Sequence, residues 1–419
     1  MIKQGVRMSL KKLFHILFDT KIAILEFIEE FKGTEKDPPK IIFHARIEKH
    51  KMKCSCCGSK DIRREASKKR VFRGCNLNGI RSYLEIITYK FFCRKCRKKA
   101  WMKLPFTVGN LPMTKAFITH IISLNVMSTL LHVSLLLGLD WKTVKNIDKA
   151  HLKKRPKQFS YKKLKYLSID EIAIRKGHRY MTIISDIQTG QIIYAVKGRK
   201  DDDICGFLKK LKQKARGLKG IAMDMSRGYT AAVTKYLPHV PIIFDRFHVT
   251  KVLTKMVDDV RKHEWKKCQK QGINLGKGER FLFLRNKKDL DSEETMTLEK
   301  ILEINKDLAT THMMKEQFRA FWECETKEEA GQFFIDWFMI AGMSGIPELC
   351  KAAKTLLQHI KGLLNYFDHR INNGKAEGIN NKIKTMKRQS YGFRDFEYFT
   401  LKLYNLHKTQ QVLVGAVAA

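Results

Sequence analysis

The sequence predicts a multidomain protein of mixed α+β and α/β class, in which small modules precede a larger mixed sheet. Its 419 residues exceed what one compact core usually holds, so two to four domains are expected. Two Cys-x2-Cys pairs and a short helical block come first, and β-type patterns follow from Tyr166. Before them, residues 1–45 are predicted to be an N-terminal helical segment, because an amphipathic pattern runs from Leu10 to Phe31.

The charge balance predicts a nucleic-acid partner. Lys and Arg number 82 against 42 Asp and Glu, which gives a formal net charge of +40. The excess runs along most of the chain, so the molecule would repel itself at low salt unless a polyanion shared its surface. A protein that merely has a basic surface is the alternative.

The N-terminus and the cysteines indicate a reduced, cytoplasmic setting. Charged residues interrupt the first apolar run, so no secretory signal is expected, and the CxxC pairs suit a reducing compartment. Phe117 to Leu139 lacks charged residues and is long enough to span a bilayer. Interspersed His, Ser and Asn residues favour two helices of a water-soluble protein over a membrane span.

The cysteine pairs predict a structural zinc ribbon at residues 46–105. The expected ligands are Cys54, Cys57, Cys93 and Cys96. Four thiolates in two such pairs suit tetrahedral zinc, and β-like runs lie between the pairs. Buried free thiols are the alternative, and Cys56 and Cys75 are competing ligands. A lysine-rich module of this size would depend on its metal for folding.

Residues 110–155 have the layout of a helix-turn-helix. Ser128 to Leu137 and Trp141 to Ala150 are predicted helices, and Gly138 supplies the left-handed turn residue between them. In the second helix one face is apolar, with Trp141, Val144 and Ile147. The remaining surface carries the candidate DNA-binding residues Lys142, Thr143, Lys145 and Asn146, together with Lys149. An ordinary helical hairpin is the alternative.

From Tyr166 the chain predicts a mixed sheet. Three β-type runs, with turns at Gly177-His178 and Thr189-Gly190, form an antiparallel meander. A helix from Asp203 to Ala215, the strand GIAMDM, a helix from Arg227 to Leu237 and the strand PIIFD follow. This element order is that of the ribonuclease H-like fold. We assign residues 160–265 to the first part of this core, 266–366 to an all-α insertion and 367–410 to the second part.

Two aspartates predict a metal site on this sheet. Asp170 follows an apolar run in the first strand, and Asp224 ends the apolar run of the fourth. These strands are neighbours in a ribonuclease H-like sheet, so the carboxylates would converge and repel unless a divalent cation joined them. A strand-end turn or helix cap is the alternative for any single Asp. We favour it for Asp186 and for the cluster at residues 201–203.

The third ligand is expected on a helix after the insertion. At 100° per residue, one face carries Glu377, Asn381, Lys384 and Arg388. The opposite face carries Ile379, Ile383 and Met386. The polar face could hold a metal through Glu377 and a phosphate backbone through Lys384 and Arg388. A solvated charged face is the alternative.

Four segments resemble the signature blocks of the ISL-three family of bacterial insertion-sequence DDE transposases. They are SIDEIAIRKGHRY, AMDMSRGY, DRFHVTK and AEGINNKIKTMKRQSYGFR. The resemblance covers roughly residues 50–405, and the zinc ribbon and helix-turn-helix of that family match residues 54–150. It implies a ribonuclease H-like fold, an all-α insertion before the third acid, and the triad Asp170, Asp224 and Glu377. Asp245 and His248 match a D-x-x-H element and are auxiliary candidates, with a core pair as the alternative.

The resemblance implies a DNA transposase that binds the inverted-repeat ends of its element and catalyses metal-dependent strand cleavage and strand transfer. Two Mg²⁺ ions, or Mn²⁺, would lie about 4 Å apart at the triad, and Zn²⁺ would be structural. The expected partners are double-stranded DNA, both element ends and target, and further copies of the chain on that DNA. Neither a membrane nor a nucleotide cofactor is expected. The alternatives are a ribonuclease H-like nuclease without strand transfer and an inactive, transposase-derived DNA-binding regulator.

Overall fold

A computed structural model describes residues 10–406, except residues 19, 21, 35–36, 155–158, 176–178, 271–279, 372–373 and 391. Contacts divide the chain between residues 156 and 157 into two compact units. The predicted turn at Gly177-His178, the Gly-rich segment 271–279 and the end of the predicted 367–410 segment lie outside the described residues.

The first unit contains a five-stranded mixed sheet. Its elements are α1 (Leu10–Phe18), β1 (Ala23–Phe31), β2 (Lys40–Ile47), β3 (Ile62–Arg73), β4 (Arg81–Cys93) and β5 (Lys99–Trp101). The strand order is β1-β2-β4-β3, and β5 also pairs with β4. β2 and β4 are parallel, whereas the other pairs are antiparallel. Phe14 and Phe18 of α1 are buried against Phe43 of β2, which fixes the helix to the sheet.

The predicted helix from Leu10 to Phe31 is wrong beyond Phe18. Residues 23–31 form β1 and pair with β2. Across this pair the Phe27 ring stacks on His44, with centroids 4.1 Å apart, and His44 Nε2 lies 3.0 Å from the Glu29 carboxylate. Strand pairing therefore overrides the helical period of the sequence. β2 also crosses the boundary drawn at residue 45, so the expected helical segment shares a sheet with the cysteine block.

Three helices complete the first unit, as the sequence predicts. They are α2 (Lys115–Met127), α3 (Leu130–Leu137) and α4 (Trp141–Lys154). Gly138 ends α3 with φ 61° and ψ 46°, a left-handed conformation that glycine adopts at no steric cost. The uncharged stretch from Phe117 to Leu139 is thus divided between two short helices. Among the described residues, every helix is too short or too polar to cross a membrane.

The second unit is built on a second five-stranded sheet. Its first elements are β6 (Tyr166–Arg175), β7 (Arg179–Asp186), β8 (Ile192–Lys197), α5 (Asp201–Lys214), β9 (Gly220–Met223), α6 (Arg227–Tyr236) and β10 (Ile242–Phe244). The strand order is β10-β9-β6-β7-β8, so β6 is central. β6 to β8 form an antiparallel meander, and β9 is parallel to both β6 and β10. The predicted element order and the neighbour relation of the first and fourth strands are confirmed.

The remainder of the second unit is helical. Its helices are α7 (Arg246–Lys270), α8 (Arg280–Leu284), α9 (Ser292–Ile304), α10 (Lys306–Gln317), α11 (Lys327–Met343), α12 (Pro347–Gln358), α13 (Ile360–His369), α14 (Gly374–Gln389) and α15 (Phe396–Asn405). Trp337 is buried, and its Nε1 donates to the Met314 carbonyl at 3.0 Å, so it is a core aromatic residue. One buried core runs from Leu167 of the sheet to Leu356 of α12, and whether residues 266–366 are a separate domain stays a prediction.

The two faces of the second sheet are covered by different helices. Residues at odd positions of β6, such as Leu167 and Ile169, share a core with α5 and α6. Ile172, at an even position, packs with Ile379 and Ile383 of α14 and with α15. Because strand side chains alternate between faces, Asp170 belongs to the face that α14 covers.

Candidate functional site

Asp170 and Asp224 are brought to one edge by the parallel pairing of β6 and β9. Ile169 pairs with Met223, the last residue of β9, and each of the two is followed by an aspartate. Met223 lies in the core on the α5 and α6 side, and alternation directs Asp224 to the opposite face, where Asp170 also lies. The two carboxylates interact electrostatically, and the charge of Asp224 raises the pKa of Asp170.

A cleft of about 740 Å³ opens at this edge of the sheet. The predicted site residues that line it are Asp170, Asp245, His248, Glu377 and Lys384. Glu377 lies in the first turn of α14 and is exposed. Ala222, which lies in β9 two residues before Asp224, also lines the cleft. Asp170 and Glu377 thus line one cleft, whereas Asp224 is outside its lining and is related to the site through its position beside Asp170.

Asp170 has a constrained, half-buried carboxylate. Its Oδ1 accepts a hydrogen bond from the Glu171 amide at 2.7 Å, and its Oδ2 accepts one from the side chain of Asn380. Burial raises the pKa of the Asp170 carboxyl, whereas the Glu171 amide, Asn380 and His248 oppose that rise. A desolvated carboxylate beside a second carboxylate is unfavourable while both are ionised, and a cation between them would offset this cost.

Asp245 and His248 lie at the start of α7. Asp245 Oδ1 accepts a hydrogen bond from the Phe247 amide at 3.0 Å, and its carbonyl accepts one from the His248 amide at 3.0 Å. Asp245 thus caps α7, which is a structural role. His248 nevertheless lies close enough to Asp170 to lower the pKa of that carboxyl. Both residues line the cleft, and their auxiliary role stays a prediction.

The predicted division of α14 into two faces is observed. Ile379 and Ile383 are buried, whereas Glu377, Asn381, Lys384 and Arg388 are exposed. Lys387, at the border between the faces, also lines the cleft and donates to the Ala173 carbonyl.

Among the cleft residues that the sequence analysis did not predict, three have polar side chains close to the predicted acids. They are Glu171, Asn380 and Lys387. Asn380 follows Glu377 by three residues, and residues at this spacing lie on the same face of a helix. This spacing could have predicted that Asn380 lies near the site. Burial raises the pKa of Glu171, which accepts a hydrogen bond from Tyr229 on α6. Nothing in the sequence indicated that partner, because it depends on how α6 packs against β6.

Asp186 and Asp203 make local hydrogen bonds, as the sequence predicts. Asp186 accepts hydrogen bonds from Thr189 Oγ1 at 2.6 Å and from the Gln188 amide at 3.0 Å, which closes the turn after β7. Asp203 accepts one from the Lys200 amide at 2.9 Å at the beginning of α5.

In the first unit four cysteines converge. They are Cys54, Cys57, Cys93 and Cys96, whose sulfur atoms all lie within 4.8 Å of one another. The Sγ atoms of Cys54 and Cys96 are 3.7 Å apart, and those of Cys57 and Cys93 are 3.5 Å apart. Tetrahedral zinc with bonds of about 2.3 Å spaces its thiolates about 3.8 Å apart, so this donor set fits zinc.

The backbone around this cluster favours a thiolate. Hydrogen bonds from the backbone of Cys57 and Cys56 lower the pKa of the Cys54 thiol to about 6. Cys56 itself is exposed, and it and Cys75 are outside the cluster. The geometry therefore favours the two Cys-x2-Cys pairs as the zinc ligands over Cys56 or Cys75.

The candidate recognition helix α4 exposes much of its polar face. Lys142 and Asn146 are exposed, and Thr143 and Lys145 are half-buried. Asp140 Oδ1 accepts hydrogen bonds from the amides of residues 142 and 143 at 2.8 and 3.2 Å, which fixes the start of the helix.

The apolar face of α4 is shorter than expected. Val144 and Ile147 are buried in the cluster that α2, α3 and α4 share. The expectation that Trp141 lies with them is wrong, since its side chain is 46% exposed and lies 5.9 Å from the Lys145 ammonium. As the first residue of α4, Trp141 precedes the turn that packs on the other two helices.

Comparisons with known proteins agree with the resemblance of the four sequence segments. Residues 167–403, more than half of the chain, match the model of a family described as "Transposase" (DDE_Tnp_ISL3). The transposase for insertion sequence element IS1001 of Bordetella parapertussis is 29% identical over 356 residues, 84% of this chain and 88% of that protein. The transposase for IS1557 of Mycobacterium tuberculosis is 24% identical over 414 residues, 91% and 92% of the two chains.

Among solved structures, the Drosophila P element transposase strand transfer complex matches 70% of this chain and 91% of its own. The identity is 11% and the TM-score is 0.37. The chain belongs to the ISL-three family of DDE transposases.

Proposed function

We propose that Asp170, Asp224 and Glu377 hold the divalent cations with which this DNA transposase cleaves DNA strands and joins them to a target. The observation that carries the proposal is the parallel strand pairing that puts Asp224 beside Asp170, at the edge of a cleft that Asp170 and Glu377 line. Carboxylate oxygens are the ligands that Mg²⁺ and Mn²⁺ prefer. The desolvation of Asp170 beside Asp224 supports a cation between them.

Two bound cations would lower the pKa of the attacking water or 3′-hydroxyl and stabilise the leaving oxygen. The protein side chains supply positioning. Asn380 and the Glu171 amide fix both oxygens of Asp170, so this carboxylate is oriented before DNA binds. Lys384, exposed on the cleft, is placed to contact a phosphate, and Arg388 continues the basic face of α14.

We assign recognition of the element's inverted repeats to the first unit. The exposed polar face of α4, with Lys142, Thr143, Lys145 and Asn146, suits the major groove. Zinc at the four-cysteine cluster would hold the β3 and β4 ends together as a ribbon at residues 46–105. The net charge of +40 supplies binding to DNA of any sequence, including target DNA. Strand transfer with two element ends implies a homo-oligomer on the DNA.

The domain organisation that we propose follows the same division. Residues 110–155 form the helix-turn-helix, and residues 160–265 with 367–410 form a ribonuclease H-like core. Residues 266–366 form the all-α insertion between its second and third acids. The confirmed order of strands and helices in the second unit supports this core.

The test is incubation of the purified protein with Mg²⁺ and DNA that carries the flanking inverted repeats, with cleavage resolved from joining. Asp170→Asn, Asp224→Asn and Glu377→Gln should each lower both activities by orders of magnitude and leave binding of the DNA ends nearly intact. Asp186→Asn and Asp203→Asn are matched controls that should stay active, because their carboxylates have local roles. Substantial Mg²⁺-dependent cleavage by a folded triad variant would remove that residue from the site. Cleavage without joining would indicate a nuclease instead.

A further inference from the structure

We propose that Phe247 and Lys251 form a nucleotide subsite on the wall of the acidic cleft. In this subsite the Phe247 ring stacks on an unpaired base next to the cleaved phosphodiester, and Lys251 contacts a neighbouring phosphate. The inference rests on the proposed function, because it names how DNA is held at that site.

Phe247 combines exposure with position. Its side chain is 61% exposed, and it lines the same cleft as Asp170 and Glu377. The other aromatic residues of the lining are Phe244, which is buried, and Tyr366, which is half-buried. Phe247 is therefore the aromatic ring that the described part of the cleft offers to a ligand.

The ring is held in place from both directions along α7. The Phe247 amide donates to Asp245 Oδ1, which fixes the first turn of the helix. The Lys251 ammonium lies 4.4 Å from the ring centroid, one turn further along. The His248 ring meets Phe247 edge to face, with centroids 5.8 Å apart. An exposed ring fixed in this way loses little entropy when a base stacks on it.

The next residue towards the N-terminus anchors the same turn. The guanidinium of Arg246 lies 4.2 Å from the Tyr366 ring centroid and 4.9 Å from that of Trp322, and it donates to the Tyr366 hydroxyl. Arg246 thus packs on the aromatic residues of the helical region, whereas Phe247 remains exposed. The two neighbours differ in role, and only Phe247 is free to take up a base.

The chemistry of the cleft defines the ligand. An apolar ring next to a lysine suits a base and its phosphate, since every base has a π face and every linkage carries a negative charge. A ring of this kind reaches a base face only where the base has left the duplex stack or lies at its end. The occupant is therefore an unpaired nucleotide beside the scissile bond, and its stacking would hold that bond near Asp170.

The experiment uses the full-length protein bound to element ends in EDTA, so that no cleavage occurs. 5-Iododeoxyuridine is placed at successive positions on either side of the cleavage site, and long-wavelength irradiation crosslinks it to a stacked aromatic side chain. Mass spectrometry should locate the crosslink at Phe247 for one or two of these positions. Phe247→Leu keeps an apolar side chain without a π face and should abolish the crosslink.

Cleavage in Mg²⁺ gives the second readout. Phe247→Leu should cleave fully paired ends about tenfold more slowly, equivalent to about 1.4 kcal/mol, which is within the range of one base–aromatic stack. A mismatch at the crosslinked position should restore part of this loss, and Phe247→Tyr should retain activity. Phe281→Leu is the matched control, because Phe281 is 66% exposed on α8 and outside the cleft lining. It should change neither readout.

The outcomes separate this inference from the proposed function. A crosslink that avoids Phe247, or cleavage by Phe247→Leu at the rate of the parent protein, would overturn the subsite. If the crosslink forms at Phe247 while the triad variants still cleave, the DNA contact stands and the assignment of the triad fails. If the triad variants are inactive and Phe247→Leu is unaffected, only the subsite is lost.

Discussion

Replacing Asp170 with Asn should stabilise the metal-free protein and at the same time remove its activity. The carboxylate is half-buried, its pKa is raised by burial, and it lies beside Asp224 on the neighbouring strand. An amide of the same shape removes the repulsion between the two charges. If Asp170 had a purely structural role, its replacement would instead lower the free energy of unfolding.

The size of the effect follows from the spacing of the strands. Paired strands lie about 4.8 Å apart, and two unit charges about 5 Å apart repel by about 3 kcal/mol at an effective dielectric constant of about 20. Asp170 accepts two hydrogen bonds, one on each oxygen, from Glu171 and Asn380. The side chain of asparagine has one oxygen, so it can fully replace only one of the two acceptors. Losing the other costs about 1 to 1.5 kcal/mol. The net gain in the free energy of unfolding is therefore about 1.5 to 2 kcal/mol.

The pH dependence has a defined sign. Because the folded-state pKa of Asp170 is raised, stability linked to this group is present below its unfolded pKa of about 4. That stability is lost as the pH rises through the higher folded value. The advantage of Asp170→Asn should therefore be absent at pH 3 to 4 and should grow as the pH rises towards 7.

Urea denaturation in EDTA and in Mg²⁺ is the assay. Without metal, Asp170→Asn should be more stable than the parent protein. With Mg²⁺ at about 100 times its dissociation constant, the parent should gain about 2.7 kcal/mol and the variant much less. Asp186→Asn is the control and should be destabilised by about 1 kcal/mol, since it loses the hydrogen bond from Thr189. A less stable Asp170→Asn variant in EDTA, or one that gains as much from Mg²⁺ as the parent, would refute the reasoning.

Three further predictions concern other parts of the molecule. Metal analysis should find about one zinc per chain. Cys93→Ser should remove this zinc, whereas Cys75→Ser should not, because Cys75 is outside the cluster. Zinc that survives Cys93→Ser would count against the site. Asn146→Ala should lower the affinity for the element's ends more than the affinity for unrelated DNA. Equal losses of the two affinities in competition assays would mean that α4 does not recognise the end sequence. Burial lowers the pKa of His312 to about 4, so the free energy of unfolding should fall as the pH drops from about 6.5 to 4, by up to about 1.4 kcal/mol per pH unit. His312→Gln should flatten this slope in urea titrations, whereas the exposed His239→Gln should keep it.

The parts of the fold that could be predicted from the sequence are those whose pattern is local. Alternating β runs with turn residues between them gave the meander of β6 to β8, and Gly138 marked the end of α3. The helix predicted for Ala23 to Phe31 was wrong, because the sequence AILEFIEEF fits a helix as well as a strand. Its conformation is decided by pairing with β2, a contact that a local pattern does not contain.

The candidate site divides in the same way. Asp170 and Asp224 were predictable, because each follows an apolar strand run and the element order made those strands neighbours. Asn380 was within reach, since it lies one turn from Glu377 on the same helix. Two features could not be predicted from the sequence, namely the hydrogen bond of Glu171 with Tyr229 and the exposure of Phe247. Both depend on the packing of α6 and α7 around the sheet.

The position of Glu377 can be explained without the long helical region that precedes it in the chain. Ile379 and Ile383 are buried against Ile172 and Ile183 of the sheet, so α14 is attached to β6 and β7 by its own apolar face. Asn380, on the next turn after Glu377, donates to Asp170 and sets the rotation of the helix. Two buried side chains and one hydrogen bond therefore hold the acid in this position, and α8 to α13 need only return the chain to this face. Lengthening or shortening that region would leave the acids in place as long as these contacts form.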